Sequence, residues 1–302
     1  MSQAIAWPGS TPAPLIPAGA PGAEPVSKAA KARQVIGQAL GTLAEDLNTG
    51  KSEGYRRFLA AMARFHDYSF GNVMLIVSQR PGATHVAGYR AWQKLGRQVR
   101  KGERGITIMA PMLFKPKDAD AKDEDAFLRF RAVAVFDISQ TDGEALPEPP
   151  RVGGDPGHHW DRLTGFVEAE GITIRYESLG SVQGMSRGGT IALSNELDEA
   201  ERFSVLVHEL AHELMHQGPK QPDPRPPKSV RELEAESVAF VVCTAVGMKT
   251  GTASSDYIQS HGGNAELLGQ SLQRVQKTAE RILDGLLPEP EDEATHEEQQ
   301  DR

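Results

Sequence analysis

The sequence predicts an α+β fold in two domains. Helix-periodic apolar segments and β-branched strands occur on both sides of one Pro- and Gly-rich stretch, EALPEPPRVGGDPG at 144–157. The 302 residues suit about two domains of roughly 150 each. The second half closes with long helices, one of which carries three histidines at four-residue spacing.

From Lys28 to Leu47 the residues Val35, Ile36, Leu40, Leu43 and Leu47 recur at helical spacing, and NTG at 48–50 ends that helix. A second helix over 52–65 places Tyr55, Phe58, Leu59, Met62 and Phe65 on one side. SFGNVMLIVSQR reads as a third, broken by RPGAT. HVAG then reads as a strand, YRAWQKLG as a short helix, and GITIMAPMLF and FLRFRAVAVFDISQT as strands around the charged loop KPKDADAKDEDA. These elements form a first domain over 28–143, followed by the 144–157 linker.

The second domain, 158–287, begins with a helix in HWDRLTGFVEAEG and a strand in ITIRYESL. RGGTIALS reads as the end of a hairpin leading into another strand. ELDEAERFSVLVHELAHELMHQG is a long helix capped near Asn195 or Asp198. VRELEAESVAFVVCTAVGM and NAELLGQSLQRVQKTAERILDGLL are the last two helices. Residues 1–27 are rich in Pro, Ala, Gly and Ser and cannot bury enough apolar surface to order. Residues 288–302 form an acidic tail, also expected to be disordered, which carries much of the net charge of −8. Charge must therefore be read locally. No run of about 20 apolar residues exists to span a membrane. The single cysteine, Cys243, lies in an apolar run; it reads as core packing in a reducing cytoplasm.

VLVHELAHELMHQG, 205–218, carries the chemistry. Residues four apart on a helix share a face, so His208 and His212 can grip one Zn2+ ion. Glu209, next to the first histidine, is placed to act as general base. The motif alone is only moderately specific, and a third ligand sharpens it. RELEAESVAF supplies Glu232 and Glu236, again on one face, while Glu234 points elsewhere. One of the two can bind the ion and the other orient a ligand histidine; the spacing does not choose. His216 continues the histidine face and reads as the polar end of a helix near the surface.

GYRAWQKLGRQVRKGERG, 88–105, reverses the local charge of an acidic chain. Arg90, Lys94, Arg97, Arg100, Lys101 and Arg104 are interleaved with Tyr89 and Trp92. Cations contact phosphates and aromatic faces stack bases, a pattern that suits single strands. Tyr89 or Phe70 would take over the stacking if Trp92 belonged to the core.

SFGNVMLIVSQRPGATHVAGYRAWQKLGRQVRKGERGITIMAP, followed by VFDISQT, resembles the N-terminal single-stranded-DNA-binding domain of ArdC-type antirestriction proteins. HELAHELMHQ and ELEAESVAF resemble the zincin-type metallopeptidase domain that follows it in that family, and also stand-alone IrrE/ImmA-like peptidases. The resemblance covers about residues 30–285. It implies single-stranded DNA binding, a zinc peptidase fold and protection of a mobile element's incoming DNA from restriction. ELEAE also resembles the glutamate-ligand segment of zinc peptidases, which implies Glu232 on the metal and Glu236 behind a ligand. GGTIALS resembles the strand that lines their cleft and pairs with an extended peptide. Two other readings use the same residues: a non-enzymatic DNA-binding protein with a structural zinc, and a regulatory peptidase that cleaves a repressor.

Overall fold

The computed structural model describes residues 28–49, 51–114, 127–145, 157–217, 224–248 and 264–287. The expected tails, the charged loop and most of the 144–157 linker lie outside them. The chain order begins with α1 (Lys28–Asn48), α2 (Glu53–Arg64), α3 (Phe70–Gln79), β1 (Val86–Gly88), α4 (Tyr89–Lys94) and β2 (Arg97–Val99). β3 (Ile106–Phe114), β4 (Phe127–Asp137), a 3-10 turn (Ile138–Gln140) and β5 (Thr141–Gly143) follow. The second half contains α5 (Gly157–Ala169), β6 (Thr173–Glu177), β7 (Gly184–Ser186), β8 (Thr190–Ser194), α6 (Glu199–His216), α7 (Lys228–Ala245) and α8 (Ala265–Leu286). The predicted helices and main strands all form. The short β2–β5 pairing, Arg97↔Gly143 to Val99↔Thr141, had no periodic signal because each strand has three residues.

In the first half, β4 is central, with β1 and β3 antiparallel on its two sides. The outer edge of β3 is covered by side chains of α3. Gln79 Nε2 donates to Thr107 O at 2.9 Å, and Thr107 N donates back to Gln79 Oε1 at 2.9 Å. Asn72 makes the same pair of bonds with Met109, at 3.0 and 2.9 Å. Thr107 and Met109 thus point their backbone groups outward, and Pro111 is next in that alternation. A proline has no N–H to leave unpaired, so it ends the pairing edge without cost.

FDISQT closes this half as a polar knot. The buried Asp137 carboxylate accepts from the backbone N–H groups of Thr84 (2.7 Å), His85 (3.2 Å) and Ser139 (3.0 Å). Buried Gln140 donates to Arg104 O at 2.9 Å and accepts from Asp137 N at 3.0 Å.

In the second half β8 is the middle strand, parallel to β6 and antiparallel to β7. Asp198 is the N-cap of α6, within a capping box: Glu201 N donates to Asp198 Oδ1 at 2.8 Å and Asp198 N to Glu201 Oε2 at 3.1 Å. Cys243 is buried, and burial pushes its thiol up to about 12, which suits packing and not reactivity. Among the described residues no helix is long and apolar enough to cross a membrane.

The two halves share one hydrophobic core. α2 packs against α7, and α1 and α3 against α8. Tyr55, Phe58, Leu59 and Met62 of α2 join Leu233, Val238, Val242 and Leu272 in a single cluster. Tyr55 Oη and Ser237 Oγ are hydrogen-bonded at 2.8 Å in the interior. Gln276 Nε2 donates to His66 O (3.1 Å) and Tyr68 O (3.2 Å). The composition of 144–157 implies separately folding domains with relative motion; the packing of α2 on α7 replaces that picture with a common core. Calorimetry should accordingly show one unfolding transition with equal calorimetric and van't Hoff enthalpies. Two resolved transitions would mean that the halves unfold independently.

Candidate metal centre and basic face

Helix α6 carries the histidines on its face towards α7. His208 Nε2 and His212 Nε2 lie 3.2 Å apart. Glu232 Oε2, from α7, lies 3.6 Å from the first and 3.5 Å from the second. Three ligands at about 2.0–2.1 Å from a tetrahedral zinc stand about 3.3–3.4 Å apart, so this triangle fits one ion. These three residues are the group among the described residues whose donor atoms converge to hold a metal. Glu236 meets the other side of the same ring, with Oε2 3.5 Å from His208 Nδ1. That is where a carboxylate orients a histidine whose Nε2 faces inward.

Charge in this cluster is already divided. Burial disfavours a proton on His208, but the carboxylates of Glu232 and Glu236 outweigh it and raise its pKa to about 9. Burial and then the neighbouring His208 charge depress His212 to about 4. The hydrogen bond from His208 leads in holding Glu232 down at about 2, so it is ionised. Two rings 3.2 Å apart do not both carry a proton. Glu209 is buried beside them; burial raises its carboxyl pKa above the ordinary range, while His208 and the Ser186 backbone N–H pull it down.

Behind His212 runs a line of buried polar groups. His212 Nδ1 lies 3.1 Å from His216 Nδ1, and His216 Nε2 lies 2.8 Å from Glu234 Oε2. Glu234 Oε1 accepts from Ser271 Oγ at 2.5 Å and from Arg274, both on α8. Burial opposes the Glu234 charge, but His216, Ser271 and Arg274 together lower its pKa. One proton arrangement satisfies the whole line. With His212 Nε2 turned to the ligand triangle, its Nδ1–H donates to His216 Nδ1, and His216 Nε2–H donates to Glu234. His216 is therefore no surface end of the helix: it is fully buried. Glu234 does point away from the ligand face, as expected, but into this line. Sequence spacing alone could not show either role.

Glu213 is a further residue without a sequence signal. Its carboxylate accepts from Ser186 Oγ (2.9 Å), Gly188 N (2.8 Å) and Gly189 N (2.8 Å). It ties the β7–β8 turn to α6, and both glycines adopt the left-handed region, φ 73° and 87°. β8, expected to offer its edge to a peptide, has β6 and β7 on its two sides. The open edge belongs to β7. Arg187 and Gln183 bond back to β8, which leaves the backbone groups of Gly184 and Ser186 facing α6. Gly184 sits so close to the helix that a Cβ there would stand 2.5 Å from Val205 Cγ1 and 2.9 Å from Glu209 Cγ.

The basic segment divides in two. Trp92 is only 1% exposed, and its Nε1–H donates to Phe136 O at 2.8 Å, so the indole is part of the core and not a stacking platform. Arg97 donates to Thr141 Oγ1 (2.8 Å), Thr141 O (3.2 Å) and Gly143 O (3.2 Å), stitching β2 to β5. Arg100 pairs with Glu103 (2.8 Å) and Asp142 (3.2 Å). Phe70 packs edge-on against Phe58, with ring centroids 5.9 Å apart. Tyr89, 44% exposed, is the aromatic left at the surface of this segment. Arg90, Lys94, Lys101 and Arg104 are exposed beside it.

The fold and centre define a metallopeptidase-like half joined to a second α+β unit. Residues 35–136 match the N-terminal domain of anti-restriction factor ArdC, and residues 167–246 match the IrrE N-terminal-like domain. The chain thus carries an ArdC-type N-terminal domain followed by an IrrE-like domain. It is 20% identical to the metal-free crystal structure of ArdC from plasmid R388, with a TM-score of 0.52 over 83% of this chain and 97% of that one. The Mn(II)-bound structure of the same protein gives 19%, a TM-score of 0.51, and 85% and 99% coverage. An uncharacterized protein of Bacillus anthracis is 26% identical over 74% of this chain and 46% of its own length. Another, from Sinorhizobium fredii, is 33% identical over 41% of this chain and 43% of its own. The chain thus spans less than half the length of these curated relatives.

Two outcomes follow from the geometry. Glu234→Gln weakens the acceptor at the end of the histidine line and should lower metal affinity ~10–100-fold, the usual loss for a group that orients a ligand. Competition against a chromogenic chelator measures it, and unchanged affinity would remove the line from the site. Gly184→Ala forces β7 away from α6 and should cost about 1–3 kcal/mol in urea unfolding.

Proposed function

We propose that the chain is a zinc-dependent metallopeptidase coupled to a single-stranded-DNA-binding unit, acting in the cytoplasm in the antirestriction of a mobile element. The observation that carries the peptidase reading is the convergence of His208 Nε2, His212 Nε2 and Glu232 Oε2 at 3.2–3.6 Å with Glu209 beside them. In this reading His208, His212 and Glu232 hold the metal, Glu236 orients His208, and the His216–Glu234 line orients His212. The R388 relative was crystallised with Mn(II); two imidazoles and one carboxylate favour zinc over manganese in the general affinity order. When bound there, zinc supplies Lewis-acid polarisation of a carbonyl and a more acidic water. Glu209 is the proton carrier: its raised carboxyl pKa brings it closer to the range a general base needs. β7 is the edge strand nearest the site, with the Ser186 N–H held by Glu209.

The nucleic-acid reading rests on exposed Tyr89 with Arg90, Lys94, Lys101 and Arg104, in a domain of ArdC type. It requires tighter binding to an oligothymidine strand than to a duplex of equal length.

Glu209→Gln separates the peptidase reading from a purely structural metal. The variant should retain about one zinc per chain and lose all cleavage of an unfolded protein such as casein, whereas His212→Ala should lose the zinc. Zinc-loaded wild type that binds single strands but cleaves nothing would favour the non-enzymatic alternative.

A further inference from the structure

A second cationic site lies largely outside the 88–105 segment. Lys28 and Lys31 of α1, Arg80 after α3 and Arg104 before β3 line one cavity of about 700 Å3. Its floor is apolar, formed by Ala32, Leu75 and Ile106. No acid is among the lining residues described. Arg80 has a buried acid behind it, with Nε 3.9 Å from Asp137 Oδ2, and donates to Ser139 Oγ at 3.2 Å. Lys28, Lys31 and Arg104 are exposed.

This gathering of charge is unfavourable by itself. Like charges around one cavity repel. Lys28 and Lys31 also stand in the first turn of α1, which has no acidic residue, where the helix dipole disfavours cations. An anion in the cavity relieves both penalties.

A separate cavity of about 620 Å3 is lined by Tyr89, Lys101 and Glu103, and Arg104, the next residue, lines the first. Ser139 bridges the two sides: its Oγ accepts from Arg80 and its carbonyl from Arg100 at 2.5 Å. An exposed aromatic ring and a cluster of cations are the two parts that single-strand sites combine.

We propose that the groove between α1 and β3 binds the phosphates of single-stranded DNA, on Lys28, Lys31, Arg80 and Arg104, with Tyr89 in the separate cavity as the stacking group. The inference rests on the nucleic-acid reading above and names the surface that carries it. Helix α1 supplies contacts that the basic segment does not contain.

The test is fluorescence anisotropy of a fluorescein-labelled 20-mer of oligothymidine with the full chain, from about 50 to 300 mM salt. Each single-strand phosphate contact contributes a slope of ~0.7 in log K against log salt. Lys28→Gln/Lys31→Gln should therefore lower the slope by about 1.4 and weaken binding on the order of 25-fold at about 0.1 M salt. Arg33→Gln/Lys51→Gln removes the same charge away from the groove and should leave the slope unchanged. Lys28→Arg/Lys31→Arg should restore it, and an unaltered thermal midpoint shows that α1 still folds. Wild-type binding with the groove pair indistinguishable from the Arg33/Lys51 pair overturns the groove and leaves the nucleic-acid reading standing. No binding by wild type overturns both.

Discussion

The geometry of the candidate metal centre depends on one buried carboxylate. Glu234 is 1% exposed, and an unpaired charge in that position costs several kcal/mol. It is tolerated because two helices contribute partners, His216 from α6 and Ser271 and Arg274 from α8, around a carboxylate on α7. The pairing fixes where α6 crosses α7. That crossing in turn brings Glu232 within 3.6 Å of both inward-facing imidazole nitrogens. A hydrophobic contact could hold the same helices together, but it would not set the ring orientation of His212. The charged line does both, and its donors and acceptors alternate without a mismatch.

This arrangement explains what the sequence could reveal. His208, His212 and Glu209 were legible because their relation lies within one helix, where four residues make one turn. The shared face of Glu232 and Glu236 was legible for the same reason. Their different positions emerge only when α7 is placed, because Glu232 meets Nε2 and Glu236 meets Nδ1 of one ring. His216 looked like a polar helix end because its partner is 18 residues away on a different helix. Glu213 was silent, since its partners are backbone N–H groups of a turn, which carry no residue identity. Composition also misled at Trp92: an indole among cations reads as a stacking surface, yet its N–H had a carbonyl of β4 to meet.

The domain boundary shows a different limit. A Pro- and Gly-rich segment marks where the chain stops forming regular elements, not where packing stops. α7 is apolar around most of its circumference from Val238 onward, and such a helix needs cover on every side. α6 and α8 supply part of it. The stripe of Tyr55, Phe58, Leu59 and Met62 on α2 supplies more, so the first half completes the core of the second. Tyr55 reinforces this through Ser237, one turn beyond Glu234 on the same helix.

Two sheet edges in this chain meet opposite fates. The edge of β3 is sealed by Asn72 and Gln79, and Pro111 continues the same outward alternation. Sealing of this kind prevents another strand from adding to the sheet. β7 has no such amide cover. It instead faces α6 through Gly184 and Ser186, held at close approach by a missing side chain at one and by Glu213 at the other. The difference follows chemistry more than architecture: both are edges of three-stranded sheets. The edge strand β7 lies beside the buried Glu209 carboxylate of α6. The same edge in the first half would serve only unwanted pairing, and there it is closed.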